Sequence, residues 1–145
     1  MPNDVPKQGN GSQLEQTVEG LQYLHQLYQS QYVILTQEIN AMLDSLSKLN
    51  NAQKTISGID KVRNKNTLMP IGGNIFINAS VGDASTVIIS VGGGYLIEDS
   101  VDNAKQFVSN QIQKQTTQIN GMMKSKRELE NAVLDISYKL ERLAQ

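Results

Sequence analysis

Apolar residues recur along the first part of the chain in alternating steps of four and three positions, and the pattern never breaks. A mean spacing of about 3.5 residues is typical of a coiled-coil seam, whereas a globular amphipathic helix drifts towards about 3.6. Ser12 and Glu15 have the spacing of a capping box at the start of such a helix. The seam consists of Leu14, Val18, Leu21, His25, Tyr28, Tyr32, Leu35, Ile39, Met42, Leu46, Leu49, Gln53 and Ile56.

A second run with the same steps extends from Val101 to Leu143 and has as many positions as the first. At about 1.5 Å per residue each helix would be roughly 65 Å long. Equal lengths are what an antiparallel hairpin of two helices requires. The seam pairs expected from end-to-end matching include Leu14 with Leu143, Tyr32 with Lys126, and Gln53 with Lys105.

Residues 67–98 have a different residue pattern, in which short runs of β-branched residues are separated by glycine-rich turns. This pattern predicts two small β-hairpins. Apolar residues are consecutive in two of these runs, so apolar side chains would point out of both faces. Two hairpins cannot cover both faces alone, which predicts an oligomer whose strands pair and stack. The residues expected at this assembly interface are Ile75, Phe76, Ile77, Val87, Ile88 and Ile89.

The stretch "VGGGYLIEDS", residues 91–100, raises the question of a phosphate-binding loop. No glycine here is followed by lysine, and the spaced glycines of a dinucleotide site are missing. A further strand, "YLIE", separates the glycines from the next helix. Glu98, Asp99 and Asp102 surround that helix start and would repel an anion. The sequence therefore favours a strand-to-strand turn with glycine at positive φ.

The charges and the rare side chains exclude several functions. The formal net charge is -1, which argues against nucleic acid as a partner, and the absence of cysteine removes disulfides and thiolate metal sites. The one histidine, His25, lies in a seam without a neighbouring ligand or carboxylate, so we expect no metal, no cofactor and no catalytic residue. No apolar run is long enough to span a bilayer or to act as a signal peptide, so we expect a cytoplasmic protein.

The first helix is poor in charge from residue 20 to residue 47, and Leu24, Leu27, Val33 and Ile34 lie off its seam. These four residues are either scattered exposed apolar side chains or part of a binding surface. The free helix ends favour binding, because a two-stranded coil has no third layer and its end residues become accessible by slight fraying. The predicted tip residues are Leu14, Val18, Leu21, Ile136, Leu140 and Leu143.

The order long helix, "PIGGNIFINASV", "VIISVGGGYLIED", long helix resembles the alpha-type subunit of prefoldin, and two hairpins rather than one favour the alpha type. The resemblance implies an α+β fold in which the hairpins form an oligomeric β-barrel platform. It also implies an alpha2 beta4 hexamer with beta-type subunits, an ATP-independent holdase that binds unfolded proteins, and transfer to a group II chaperonin. The expected organisation is a disordered tail at 1–11 and one domain at 12–145, with helices at 12–63 and 100–145 and hairpins at 67–98.

Two other functions are compatible with parts of the pattern. A coiled-coil adaptor or spacer that docks one folded partner would need the same platform, and it would differ from a holdase in its selectivity. A nucleotide enzyme would need the glycine loop to bind phosphate, which the acidic neighbours of that loop oppose.

Overall fold

The computed structural model describes residues 13–144; the expected tail at 1–11 and Ser12 of the capping box lie outside this range. Along the chain, one long helix precedes the strand region and another follows it, which confirms the α+β prediction. The elements in chain order are α1 Val18–Ser57, α2 Ile59–Val62, β1 Asn66–Gly72, β2 Ile75–Ser80, β3 Thr86–Gly92, β4 Tyr95–Ser100 and α3 Val101–Leu143.

The burial of the two long helices follows the predicted seams. Every seam position is buried or partly buried except Val18 and Leu143, which lie at the helix ends. Heptad spacing places successive apolar side chains on one stripe, which is shielded from water together with a few off-seam residues such as Leu24 and Ala104. The predicted coiled-coil helices are thus confirmed at the level of single positions.

The helix starts are fixed by short polar side chains. At α1 the Thr17 hydroxyl accepts a hydrogen bond from the Gly20 N–H at 3.0 Å, and at α3 the Ser100 hydroxyl accepts one from the Asn103 N–H at 3.1 Å. Each satisfies a donor that has no partner within the helix. Asp102 in the first turn of α3 adds the favourable charge that the sequence indicated.

The four strands form two separate antiparallel pairs, β1 with β2 and β3 with β4. The two hairpins have the same register. Asn66 faces Ser80 in the first, and Thr86 faces Ser100 in the second, 20 residues further along the chain. The remaining pairs are related by the same offset, and both hairpins have an irregularity just before the turn. The closing hydrogen bonds repeat as well, from Val81 N–H to Lys65 O and from Val101 N–H to Ser85 O. Residues 65–81 and 85–101 are therefore two copies of one structural repeat.

The chain divides into two compact units. The helix-end unit contains the described chain up to Leu43 and from Gln118 onward, and the hairpin unit is Asp44–Thr117. In the hairpin unit, Gln53 Nε2 donates to Ser109 Oγ at 3.1 Å, and Ser109 lies one helical turn along α3 from Lys105, the seam residue expected opposite Gln53.

Candidate functional site

The helix-end unit has a small apolar core, which we call the helix-end cluster. Its buried members are Leu21, Leu24 and Ile136, and its partly buried members are Leu14, Tyr28 and Leu140. Leu21 is 0% exposed. Leu24 was expected off the seam and partly exposed, and that expectation is wrong because Leu24 packs into this cluster.

The predicted tip residues occupy two kinds of position. Val18 is 44% exposed and Leu143 is 51% exposed, so their side chains already face water. Leu21 and Ile136 are buried, while Leu14 and Leu140 pack over them. Access to the buried pair requires displacement of the residues that cover them.

The residues before α1 fold back over its first turn. The Leu14 backbone lies so close to Gly20 that a Cβ on Gly20 would collide with the Leu14 carbonyl group. Glu15 Oε2 is 3.2 Å from Lys139 Nζ, and Asp135 Oδ2 is 3.0 Å from the same nitrogen. The hydrogen bond to Asp135, and to a smaller extent that to Glu15, raises the pKa of Lys139, because both carboxylates favour its charged form.

Tyr32 joins the two helices within the helix-end unit. Its hydroxyl donates to Glu130 Oε1 at 2.9 Å, and Lys126 Nζ lies 5.3 Å from its ring centroid. The expected approach of Tyr32 and Lys126 is confirmed. Beside the ring is a shallow hollow of about 330 Å³ lined by Gln29, Val133 and Leu134, with little polar surface.

Leu27, Val33 and Ile34 on α1 are exposed, as predicted, and Leu134 and Tyr138 on α3 are exposed as well. None of the apolar side chains has a basic neighbour on α1, because no lysine or arginine occurs from residue 8 to residue 47. The α1 side of the helix-end unit thus presents aliphatic and aromatic groups on a surface of low charge.

The predicted assembly residues fall on two faces of the hairpins. Val87 and Ile89 are partly buried and line a hollow with Ile56, Ala104 and Val108. One face of β3 therefore lies against the end of α1 and the start of α3. Ile88 points the other way and is 70% exposed. Ile75, Phe76 and Ile77 are all exposed. Among residues 13–144, therefore, nothing covers β2 or the outer face of β3.

The glycines of both repeats are turn residues. Gly72, Gly73 and Asn74 link β1 to β2 with positive φ, and residues 92–94 do the same between β3 and β4. β4 lies between these glycines and α3. The turn interpretation of "VGGGYLIEDS" is confirmed, since glycine supplies the positive φ that other residues adopt at a cost.

The polar chemistry of the described residues is local. Asp83 accepts hydrogen bonds from the Ser85 N–H and hydroxyl, both at 2.9 Å, and these lower the pKa of its carboxyl group, the backbone bond most. Within residues 13–144 no group of three or more histidine or carboxylate side chains is arranged as a metal site. No helix in that range is long and apolar enough to cross a membrane.

Two long helices with heptad seams, joined by β-hairpins whose apolar faces are exposed, are typical of coiled-coil proteins that assemble into oligomers. The profile of the family described as "Prefoldin subunit" matches residues 28–145, so the chain belongs to the prefoldin family. This membership makes it a chaperone-type, oligomer-forming subunit, and its relatives place it with the alpha type.

Two relatives illustrate that type. The chain is 26% identical over 136 residues to "Prefoldin subunit alpha" of Pyrococcus horikoshii, with 92% of each chain covered. It is 21% identical over 104 residues to "Probable prefoldin subunit 5" of Dictyostelium discoideum, with 72% of this chain and 65% of the relative covered.

A solved structure shares the fold. The cryo-EM structure of filamentous PFD from Methanocaldococcus jannaschii matches with a TM-score of 0.59 at 21% identity, covering 84% of this chain and 96% of that one. This likeness shows that the two chains share a fold.

Proposed function

We propose that the chain is a subunit of a cytoplasmic holdase, which binds unfolded polypeptides at its helix ends without ATP and transfers them to a group II chaperonin. The observation that carries this proposal is the helix-end cluster with its exposed margin. The exposed side chains of Val18 and Leu143 lie at the helix ends, where they can bind apolar groups of varied shape. No catalytic residue is required for such binding.

The proposed client-binding surface is made of the residues predicted as the tip. Each aliphatic contact contributes about 1 to 3 kcal/mol before the costs of ordering the client are subtracted, so one subunit binds weakly. Several subunits acting on one chain gain through effective concentration. Weak individual contacts also permit release without nucleotide hydrolysis. The surface comprises Leu14, Val18, Leu21, Ile136, Leu140 and Leu143.

We propose further that the hairpins form the platform on which subunits assemble. The exposed apolar residues of β2, together with Ile88, need cover from another chain, and unpaired strand edges lie beside them. Beta-type prefoldin subunits in an alpha2 beta4 hexamer are the partners that the family resemblance suggests. A filament, as in the similar structure of known fold, is the other arrangement.

The segment just before the first hairpin is basic and the second hairpin is acidic, which supports contact between unlike hairpins. Residues 61–80 contain Lys61, Arg63 and Lys65 and no acidic residue, whereas residues 81–100 contain acidic residues and no basic one. Arg63 forms an ion pair with Asp60 at 3.0 Å and also helps to lower the pKa of Asp83, so its charge is matched within the chain. Lys65 and Glu98 remain available to neighbours. Opposite charges at strand edges favour one pairing over others.

The experiment that tests the holdase is an aggregation assay on the complex assembled with a beta-type subunit. Several unrelated denatured proteins are diluted into the complex without nucleotide, and light scattering is followed. We expect suppression of aggregation for all of them. Suppression restricted to one folded partner would support the adaptor function instead.

A matched pair of variants assigns the effect to the helix ends. Val18→Ser with Leu143→Ser alters two exposed side chains and should weaken suppression several-fold, while the complex keeps its mass. Val62→Ser alters an apolar side chain of similar exposure in the hairpin unit and should leave suppression unchanged. Equal effects of both changes would contradict the assignment to the helix ends.

A further inference from the structure

The residues before α1 form a separate structural feature, which we call the strap, Gln13–Thr17. Gln16 N–H bonds back to Gln13 O at 3.2 Å, so the strap contains a turn. Six residues of continuous helix would separate Leu14 from Gly20 by about 9 Å. Instead the Leu14 backbone lies directly against Gly20. The strap therefore doubles back onto the helix that it precedes.

Three contacts hold the strap in place. The Leu14 side chain packs on the helix-end cluster, the Glu15 carboxylate reaches Lys139 on α3, and the Thr17 hydroxyl binds the Gly20 N–H. Gly20 is also essential, because any side chain at this position would displace the Leu14 carbonyl group. Glycine is an unfavourable residue inside a helix, so its presence in the first turn of α1 fits a close backbone approach.

The strap is held weakly compared with the helices. The ion pair is accessible to water, with the Lys139 side chain 37% and the Glu15 side chain 49% exposed, and exposed pairs contribute little to stability. One leucine provides the apolar contact. Opening of the strap would uncover Leu21, Ile136 and Leu140 while both helices remain folded.

We propose that the strap is a built-in competitor of the client, and that Leu14 occupies the position on the helix-end cluster that a client side chain takes when the strap opens. This inference rests on the holdase function proposed above and adds the client class. It makes Leu14 the internal occupant of the client-binding surface instead of one of the residues that contact the client. In the strap a leucine is followed by a glutamate: Leu14 packs on the helix-end cluster, and Glu15 pairs with Lys139. The preferred client segment is therefore a large aliphatic residue followed by an acidic one.

The strength of the competition determines the size of the effect. If the strap is closed in about 70 to 90% of molecules, the apparent dissociation constant of a client is raised roughly threefold to tenfold. A variant with an open strap should bind clients more tightly by that factor. If the strap merely stabilised the site, the same variant would bind clients more weakly.

The test uses the assembled complex and fluorescence anisotropy of an unstructured peptide containing Leu-Glu pairs. Gly20→Ala opens the strap by a steric clash and should tighten binding about threefold to tenfold. Leu14→Ser removes the competing side chain and should tighten binding as well. The matched control is Gly121→Ala, in the same unit, where an added Cβ would meet no atom within 4 Å. Gly121→Ala should leave the affinity unchanged.

The acidic preference is measured in the Gly20→Ala complex, where the strap no longer interferes. A peptide with Leu-Glu should bind more tightly than the same peptide with Leu-Gln, and Lys139→Gln should abolish the difference. Circular dichroism checks that each variant keeps its helix content. Unchanged or weaker peptide binding by both Gly20→Ala and Leu14→Ser would overturn the strap proposal. A wild-type complex that suppresses no aggregation would instead overturn the holdase function itself.

Discussion

Tyr32 and Glu130 connect α1 to α3 through a 2.9 Å hydrogen bond from the phenol to the carboxylate, while Lys126 lies over the same ring. Both neighbours of Tyr32 come from one face of α3, one turn apart. The ring is thus held by a charge-assisted hydrogen bond at its tip and a cation at its face. This arrangement fixes the helix pairing next to the apolar hollow of the helix-end unit.

Tyr32→Phe should lower the free energy of unfolding by about 0.5 to 1.5 kcal/mol, because it removes the hydrogen bond and keeps the ring beside Lys126. The measurement is urea denaturation followed by circular dichroism at fixed protein concentration. Tyr23→Phe, at an exposed tyrosine on the same helix, is the control and should have no effect. Equal losses in the two variants would show that the bond to Glu130 does not contribute.

Gln115 is a seam residue of α3 whose Oε1 is buried without a hydrogen-bond partner among the described residues. A buried acceptor without a partner costs about 1 to 3 kcal/mol. Gln115→Leu should therefore raise the free energy of unfolding by about 1 kcal/mol or more. Gln113→Leu, at an exposed position of the same helix, should not. Destabilisation by Gln115→Leu would indicate that the polar group sets the register of the seam, a known use of polar seam residues.

The sequence predicted the seams position by position because heptad spacing reports burial along a coiled coil directly. It did not predict the hydrogen bond from Gln53 to Ser109, since Ser109 lies off the seam and heptad spacing does not report polar contacts. The strap was missed for a similar reason. Leu14 continues the heptad spacing, and only Gly20 in the first helical turn signals that the chain doubles back there.

The 20-residue repeat was also missed, although it is regular in the structure. The two copies share few identical residues, among them Gly72 with Gly92 and Gly73 with Gly93. Hydrogen bonds of the backbone, which any residue provides, define the common register. Of the proposed site, the sequence indicated the exposed ends Val18 and Leu143. It could not show that Leu24 is buried, because that depends on how the helix ends pack.

The carboxyl group of Asp83 should titrate below its ordinary value, because the Ser85 N–H and hydroxyl bind its charged form. A lowered pKa in the folded state means that this contribution to stability is present above the ordinary pKa and is lost as the pH falls through the folded value. Titration of the carboxyl carbon by NMR measures the pKa. Ser85→Ala should raise it towards the ordinary value. An Asp83 pKa unchanged by Ser85→Ala would mean that the hydroxyl bond has no influence in solution.

Ile88→Asp should dissociate the assembly without unfolding the chain, because Ile88 lies on the uncovered face of β3 and an aspartate there would be buried in the interface. Light scattering after size exclusion should show a loss of mass, with helix content unchanged by circular dichroism. Ile34→Asp, at an exposed isoleucine of α1, should leave the mass unchanged. Dissociation by the Ile34 change alone would place the interface on the helices.

Charge reversal tests whether unlike hairpins meet between subunits. Lys65 lies just before β1, and Glu98 lies on β4 with its carboxylate bound to the Thr86 hydroxyl at 2.8 Å. Lys65→Glu and Glu98→Lys should each weaken assembly, and a mixture of the two variant chains should recover it in part, because each variant then meets a partner of opposite charge. The recovery should decrease as salt is raised from about 0.05 to 0.5 M. A mixture that assembles no better than either variant alone would mean that like hairpins meet, or that the repeats contact different surfaces of the partner.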